Sequence, residues 1–237
     1  MLKTSEGIIV RTIKYGETSL ILDIFSSDQG IRSYIVGGVR TNRGKSKVAL
    51  VRVLNLVRFV AYDKGNDTLN RIKEIEYNYV YKAIPFDVVK GSLATFLIEI
   101  CRKAIKASDA YEDIYNYIVK GMIHLDNIDQ GLAHFHINFL IGLAEKLGFQ
   151  LDNNYNLDRA YFNLSEGTFI RSITDHRFTL DKDLSLYLHA YLSKNTNPQV
   201  PKHARLELLQ NLVKYYKYHI SDFGELKSLP IILSLYE

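Results

Sequence analysis

The first third of the chain alternates apolar and polar residues in short runs, which is the pattern of β-strands with one buried face. Turn sequences rich in Gly, Ser, Asp and Asn separate these runs. Five runs are recognised: GIIVRTI (7–13), TSLILDIF (18–25), IRSYIV (31–36), VLNLVRFVAY (53–62) and NRIKEIEY (70–77). Such closely spaced short strands predict a small closed barrel of the OB type, and an SH3-like barrel is the alternative.

Beyond Pro85 the apolar period changes from two residues to about 3.6, which indicates helices. Asp87 is a residue type that caps the start of a helix. The helical patterns cover 88–106 and, approximately, 111–125, 130–147, 184–193 and 203–220. Between them, AYFNLSEGTFIRS (160–172) predicts a β-hairpin that turns at Glu166 and Gly167.

The predicted fold class is therefore α+β. Residues 1–80 form an N-terminal five-stranded OB-fold β-barrel, which we expect to pack on a mostly α-helical C-terminal domain, residues 81–237. A short β-hairpin insertion at about 149–183 interrupts the helices of this second domain.

Positive charge is concentrated in the predicted barrel. Residues 1–80 hold 13 Lys and Arg against 8 Asp and Glu, whereas residues 81–237 hold 17 against 18. Residues 29–62 contain seven basic side chains and no acidic one, and their centre, GGVRTNRGKSK (37–47), is rich in glycine. We call residues 37–47 the basic segment. A glycine-rich basic segment between two strands can approach a phosphate backbone closely, so nucleic acid is the expected partner.

The basic segment and the strands beside it supply candidates for phosphate contacts, which would give salt-dependent affinity with little sequence preference. These candidates are Arg11, Lys14, Arg40, Arg43, Lys45, Lys47 and Arg52. Arg52 is expected to lie within a strand. Tyr15 and Tyr34 are candidates for stacking on bases, although tyrosines more often serve in packing. The alternative for the basic segment is a solvated loop without a partner.

Several function classes lack their sequence signals in this chain. No Walker A, G-x-S-x-G, H-E-x-x-H or G-x-G-x-x-G motif is present, which predicts a protein that is not an enzyme and needs no cofactor. The single cysteine, Cys101, excludes an internal disulfide and a multi-cysteine zinc site. No apolar run reaches the roughly 18–20 residues of a membrane span, and no signal peptide is recognised, so we expect a cytoplasmic protein without a membrane partner.

Four segments form an ordered set of motifs along the chain. The first two are GIIVRTIKYGETSLILDIFSSDQG, which contains Tyr-Gly-Glu and ends in Phe-x-x-x-x-Gly, and VGGVRTNRGKSKVALVRVLNLVRFVAY, which joins a Gly-x-Arg basic loop to an apolar strand. The others are the helical IPFDVVKGSLATFLIEI and the closing YYKYHISDFGELKSLPIIL, with a Tyr…His…Leu-Lys-Ser pattern. From Gly7 to about Leu233, this ordered set resembles the bacterial recombination mediator family RecO.

The resemblance implies an OB-fold and a helical domain that act together on DNA. Proteins of this family bind single- and double-stranded DNA and anneal complementary strands. They contact the C-terminal tail of single-strand-binding protein (SSB) and, with the partner RecR, help load RecA recombinase onto SSB-coated DNA. The resemblance thus implies a non-enzymatic mediator of DNA recombination and repair at the nucleoid, with DNA, the SSB tail, RecR and indirectly RecA as partners.

One feature departs from the family pattern. Many members carry the four cysteines of a zinc ribbon after a Leu-Gly-Phe/Tyr motif. Here LGF (147–149) is followed by LDNNYNLDRAYFNLSEGTFIRS, which contains no cysteine. The nearby His176 cannot form a structural zinc site alone. We therefore expect the hairpin without a bound metal.

A receptor for the SSB tail, which is acidic and ends in apolar residues, needs an apolar pocket with a cation beside it. The candidate cations are Arg102, Lys103, Lys106, Lys214 and Lys217. Each of them could instead be an ordinary solvated charge. An RNA-binding OB protein and a protein-scaffolding module with a basic face are the alternative functions.

Overall fold

The barrel predicted for the first part of the chain is present. In the computed structural model, which describes residues 1–39, 45–63, 69–105, 111–193 and 198–235, five strands close on one another in the order β1-β2-β3-β5-β4. Neighbouring strands pair antiparallel, except that β3 and β5 are parallel. The strands are β1 (Leu2–Tyr15), β2 (Ser19–Ser26), β3 (Gly30–Val36), β4 (Leu56–Tyr62) and β5 (Asn70–Tyr79). This closure confirms the OB-type barrel of an α+β protein.

Strand β1 begins earlier than the sequence pattern predicts. Its first half, from Leu2 to Ile8, pairs with β4, and its second half pairs with β2. A bulge between Ile9 and Arg11 separates the two halves, and bulges bend a strand. The sequence misses the first half because LKTSE has no alternation of apolar residues, and its strand conformation is stabilised by pairing with the distant β4.

A short helix, α1 (Lys45–Leu50), joins β3 to β4 where the sequence predicts a loop. Six residues are too few to display a helical period. The Asn55 side-chain amide donates to the carbonyls of Ala49 and Leu50, each at 2.8 Å, and so caps the end of this helix. Arg52 was expected within a strand, but it lies in the turn after α1 because β4 begins only four residues later.

Aliphatic and aromatic side chains from all five strands fill the barrel. The buried cluster consists of Ile9, Leu20, Leu22, Ile24, Tyr34, Val36, Val39, Val51, Val57, Phe59, Ala61 and Ile72. Val39 and Val51 lie outside the strands, towards the two ends of the connection from β3 to β4. Each fully buried valine contributes roughly 1.5–3 kcal/mol to folding, so both ends of this connection are held on the barrel.

Contacts divide the chain, over its described residues, into two compact units: unit 1, Met1–Asp126, and unit 2, Asn127–Glu237. The sequence pattern changes earlier, near residue 80, and a domain boundary there stays a prediction. None of the described helices is long and apolar enough to span a membrane.

Two further helices belong to unit 1: α2 (Val88–Ala104) and α3 (Tyr111–Asn127), except for the last residue of α3. Asp87 caps α2 as predicted, since its carboxylate accepts two amides of the first turn at 2.8 and 2.9 Å. The Phe25 ring of β2 meets Tyr115 of α3 edge-on, with centroids 5.9 Å apart. An aromatic contact therefore joins the barrel to α3.

Unit 2 combines helices with the predicted hairpin. The strands β6 (Tyr161–Asn163) and β7 (Thr168–Ile170) pair antiparallel and confirm it. Gly167 at the turn has φ 71°, in the left-handed region that favours glycine. Among the described residues, the helices of this unit are α4 (Leu132–Lys146), α5 (Lys182–Leu192), α6 (Lys202–His219) and α7 (Leu229–Ser234).

Candidate nucleic-acid interface

The start of the basic segment is anchored in the barrel. Val39 is fully buried, and its amide donates to the carbonyl of Thr18 at 3.0 Å. Gly38 before it has φ 69°, a backbone conformation that glycine adopts without strain. The segment therefore begins beside the turn that joins β1 to β2.

The chain after the basic segment returns to the second half of β1. Val51, directly after α1, is buried, and its carbonyl accepts the hydroxyl of Thr12 at 2.9 Å. The Leu54 amide donates to the Ile9 carbonyl at 2.8 Å. The basic residues of the segment are thus preceded by an anchor at the β1–β2 turn and followed by anchors along β1, at Thr12 and Ile9.

Of the seven candidate phosphate contacts, Arg40 and Arg43 lie outside the described residues. Lys45 and Lys47 belong to the backbone of α1, and their side chains lie outside the described part as well. The remaining three candidates, Arg11, Lys14 and Arg52, are exposed on the barrel or on the turn after α1.

Arg11 forms an ion pair at the barrel surface. Its Nη1 lies 3.6 Å from Oδ2 of Asp23 on the neighbouring strand. An exposed pair of this kind contributes at most about 1 kcal/mol, so a phosphate can compete with Asp23 for the guanidinium. Arg11 can therefore still serve as a phosphate contact.

The two candidate tyrosines differ in their exposure to solvent. Tyr15, at the end of β1, is 49% exposed. Tyr34 is only 3% exposed, its hydroxyl donates to Gln29 Oε1 at 2.9 Å, and its ring meets Phe59 edge-on at 4.9 Å. Burial raises the pKa of Tyr34 to about 12. Tyr34 is a core residue with no face open to a base, so its assignment to base stacking is corrected.

The outer surface of β1, β2 and β3 carries residues that sequence reasoning missed. Ile13 pairs with Ile21, and Ile21 pairs with Ile35, so three isoleucines lie side by side. All three are half-buried, and we call them the isoleucine strip. The alternation of each strand places them on its outer face, but their alignment follows from the register of the two hairpins, which alternation alone does not give.

Arg71 is a further basic residue at this surface. It pairs with Ile35 across the parallel contact of β3 and β5 and is exposed. A methyl group placed on Gly37 would lie 3.5 Å from Arg71 Nη2, so the guanidinium lies beside the first residue of the basic segment. The alternating run 70–77 could have marked Arg71 as outward-facing, but not as a neighbour of that segment.

Other cations of the barrel are paired with acids. Lys3 lies 2.7 Å from Asp28, Arg58 lies 2.8 Å from Glu6, and Lys73 lies 3.2 Å from Glu74. Hydrogen bonding and attraction by Glu6 raise the pKa of Arg58. These pairs lower the net positive charge away from the basic segment.

The candidate cations for a partner peptide are spread over both units. Arg102 and Lys103 are half-buried on α2 in unit 1, and Lys106 lies outside the described residues. In unit 2, Lys214 donates to Asn211 Oδ1 at 3.2 Å and Lys217 pairs with Glu225 at 2.8 Å. Their role in binding a peptide stays a prediction.

The cysteine-free hairpin is held by amide and aromatic contacts. Asn154 Oδ1 accepts the Phe169 amide at 2.8 Å, and Asn154 Nδ2 donates to the Phe169 carbonyl at 3.3 Å. The ring of Tyr155 stacks on His189 at 4.4 Å. Over the described ranges, no group of three or more His, Cys, Asp or Glu side chains is placed to hold a metal.

Comparison with known proteins covers nearly the whole chain. A family model described as "Recombination protein O N terminal" matches residues 1–81, and one described as "Recombination protein O C terminal" matches residues 85–230. The chain is 30% identical over 238 residues to the DNA repair protein RecO of Flavobacterium psychrophilum, with 98% of each chain covered. It is 27% identical over 240 residues to that of Phocaeicola vulgatus and 28% over 242 residues to that of Christiangramia forsetii, with full coverage of both chains in each case.

Proposed function

Because this chain belongs to the recombination protein O family of DNA repair proteins, we propose that it is a recombination mediator without enzymatic activity. In this role it binds single- and double-stranded DNA and anneals complementary strands. Together with RecR it helps load RecA recombinase onto SSB-coated DNA. Its place of action would be the cytoplasm, at the nucleoid.

The observation that carries this proposal is the anchoring of the basic segment on an OB barrel. Val39 and Val51 hold the chain on either side of the segment's basic residues, and both valines belong to the barrel core. The segment itself contributes Arg40, Arg43, Lys45 and Lys47. Cations concentrated in one segment that is anchored at both ends on a barrel can neutralise several phosphates at once.

Annealing would follow from backbone binding. Two complementary strands repel each other through their phosphates, and this repulsion falls when basic side chains replace their counterions. Contacts to phosphates leave the base edges free, because base edges and phosphates are separate recognition elements. A protein that holds strands by their backbones therefore lets the bases pair.

The proposed protein partners are the SSB tail, RecR and, indirectly, RecA. An acidic tail with an apolar end needs a cation near an apolar surface. Arg102 and Lys103 on α2, and Lys214 and Lys217 on α6, are separate candidate cations for this contact among the described residues. Lys106 is a further candidate.

The proposal is tested by measuring binding to a labelled single-stranded oligonucleotide over a series of salt concentrations. The test variant replaces Arg40, Arg43, Lys45 and Lys47 by alanine. Each lost phosphate contact should reduce the salt slope by about 0.7, so the variant should lose a slope of about 3 together with most of its affinity.

A matched control removes the same number of positive charges from exposed sites elsewhere: Lys82, Lys120, Lys146 and Lys202. This control should bind almost as wild type does. If the two variants behave alike, only net charge matters and the basic segment is not the DNA site. Annealing that persists in the test variant after binding is lost would contradict the annealing mechanism.

A further inference from the structure

The isoleucine strip crosses the outer face of three strands. Ile13, Ile21 and Ile35 are neighbours through the pairing of β1 with β2 and of β2 with β3. Arg71 follows in the same row through the pairing of β3 with β5. Strands in a sheet lie about 4.8 Å apart, so the row from Ile13 to Arg71 spans about 14 Å.

The border of the strip nearest the basic segment carries an exposed aromatic ring. Tyr15 pairs with Ser19, and its ring is about half exposed. Next to them lies Gly37, which has no side chain, with the Arg71 guanidinium beside it. An exposed ring and a guanidinium therefore stand at the two sides of the strip, at the point where the basic segment begins.

The opposite border is polar, and its side chains contact one another. Arg11 pairs with Asp23, and the hydroxyl of Ser33 donates to the same carboxylate at 2.6 Å. These three residues form the adjacent row on β1, β2 and β3. The apolar surface is thus a narrow band between a polar row and the basic segment.

An apolar strip with basic residues beside it suits a ligand that has both negative charge and apolar surface. Unpaired nucleotides combine a phosphate chain with exposed base faces, whereas the base faces of a duplex are stacked on one another. We propose that the isoleucine strip, with Tyr15 and Arg71 at its sides, contacts the bases of a single DNA strand. This inference rests on the proposed function and adds to it the surface that distinguishes single from double strands.

Aliphatic side chains suit a protein that must release the bases again. Aromatic platforms bind bases strongly because both partners present flat π-faces. Isoleucine offers apolar contact without that geometry, so the strip favours no particular base and holds each base weakly. Bases held in this way can leave the strip for a complementary strand.

The first experiment compares a thymidine oligonucleotide with an abasic oligonucleotide of equal length, using the full chain. Wild type should bind the thymidine strand about 5-fold more tightly, because several weakly held bases together should reach the lower end of the effect of one base stacked on an aromatic ring. Ile35→Thr keeps a β-branched side chain but shortens the apolar surface. It should bring this ratio close to one and leave binding of the abasic strand unchanged.

Ile31→Thr is the matched control, because Ile31 is half-buried on the same face of β3, four residues away. It should keep the wild-type ratio. Thermal unfolding of both variants shows whether either has lost its fold. If Ile35→Thr is unfolded, Ile21→Thr takes its place, since Ile21 is the adjacent member of the strip.

Arg71 is tested by its salt dependence. Arg71→Ala should weaken binding of both oligonucleotides and reduce the salt slope by about 0.7. Lys73→Ala, two residues along the same strand and paired with Glu74, should change neither. If Arg71→Ala and Lys73→Ala have the same affinity and the same salt slope, Arg71 does not contact the DNA.

The outcomes separate this inference from the function on which it rests. If wild type binds neither oligonucleotide, both are wrong. If wild type binds both oligonucleotides equally, with a steep salt dependence, backbone binding stands and the strip is not a base contact. If an acidic peptide with an apolar C-terminus binds the strip and loses affinity in Ile35→Thr, while the thymidine ratio is unchanged, the strip is a protein-binding surface instead.

Discussion

At the scale of single residues, Asp126 anchors two parts of unit 1 to each other. Its carboxylate accepts the amides of three consecutive residues, Lys82 to Ile84, at 2.8–2.9 Å, and the hydroxyl of Tyr79 at 3.1 Å. Burial disfavours the charged form, but these hydrogen bonds outweigh it and hold the pKa of Asp126 below its usual 3.8. The end of α3 is thereby tied to the chain that follows the barrel.

Asp126→Asn should lower the free energy of unfolding by about 1–3 kcal/mol at neutral pH, because the new NH₂ group faces amide donors. The pKa of Asp126 is depressed in the folded state, so its contribution is present above the unfolded pKa and is lost as the pH falls through the folded pKa. Urea unfolding should therefore show a difference from wild type that is largest near neutral pH and narrows below 3.8. Glu145→Gln, at an exposed carboxylate, is the control. Equal stability of Asp126→Asn and wild type at neutral pH would contradict this role.

A second residue-scale prediction concerns His136, which is 1% exposed on α4. Burial, together with the charges of Arg205 and His134, lowers its pKa to about 3. In the unfolded chain His136 therefore takes up a proton near pH 6.5, whereas in the folded chain it stays neutral until about pH 3. The free energy of unfolding should fall as the pH drops from 6.5 towards 3. His136→Gln should flatten this decline in urea unfolding, whereas His203→Gln, at an exposed histidine, should not. If the free energy of unfolding falls with pH equally in His136→Gln and His203→Gln, His136 does not cause the decline.

At the scale of elements, the hairpin β6–β7 is stabilised by contacts among its own and neighbouring side chains. The Asn154 side chain makes both hydrogen bonds of a strand partner to Phe169. The Phe162 and Phe169 rings meet edge-on at 4.9 Å, and both are fully buried. Apolar burial and one amide side chain thus hold the two strands together.

Asn154→Ala should cost about 1–3 kcal/mol of stability, since the Phe169 amide and carbonyl lose their partner. A metal chelator should leave the thermal midpoint of wild type unchanged. Thermal unfolding with and without chelator measures both effects. A midpoint that falls with chelator would contradict the metal-free hairpin and point to ligands that we have not identified.

At the scale of the whole molecule, the barrel depends on residues beyond its last strand. Phe25 packs against Tyr115, and a methyl group on Gly30 would lie 2.5 Å from the ring of Tyr111. Asp126 adds the hydrogen bonds described above. The compact unit that the contacts define accordingly extends to Asp126 rather than ending near residue 80.

A fragment of residues 1–127 should unfold cooperatively in urea, because it keeps every contact of unit 1. A fragment of residues 1–81 should unfold at a lower urea concentration, because it exposes Phe25 and lacks α2 and α3. Circular dichroism over a urea series measures both midpoints. Equal midpoints would show that the barrel is an independent domain and would support the boundary near residue 80.

The sequence predicts the features that arise from neighbours along the chain. Alternation marks the five barrel strands and the hairpin, the 3.6-residue period marks the long helices, and Asp87 marks the start of α2. It misses α1 and the first half of β1, because α1 is too short for a period and residues 2–6 become a strand only by pairing with β4. It leaves open whether Tyr34 stacks on bases or packs in the core, since a tyrosine in a strand gives no sign of which face closes on the core.

By itself, then, the sequence determined the fold class, the family and the concentration of positive charge in one segment. Each of these follows from the residue composition and from the order of motifs along the chain. Only the tertiary structure decided which residues share a surface. Closure of the barrel sets Ile13, Ile21, Ile35 and Arg71 in one row and turns Tyr34 inwards. The pairing of β3 with β5, which lie far apart in the chain, adds Arg71 to the row. In any of these strand pairs a shift by one residue would move every side chain of a strand to the opposite face.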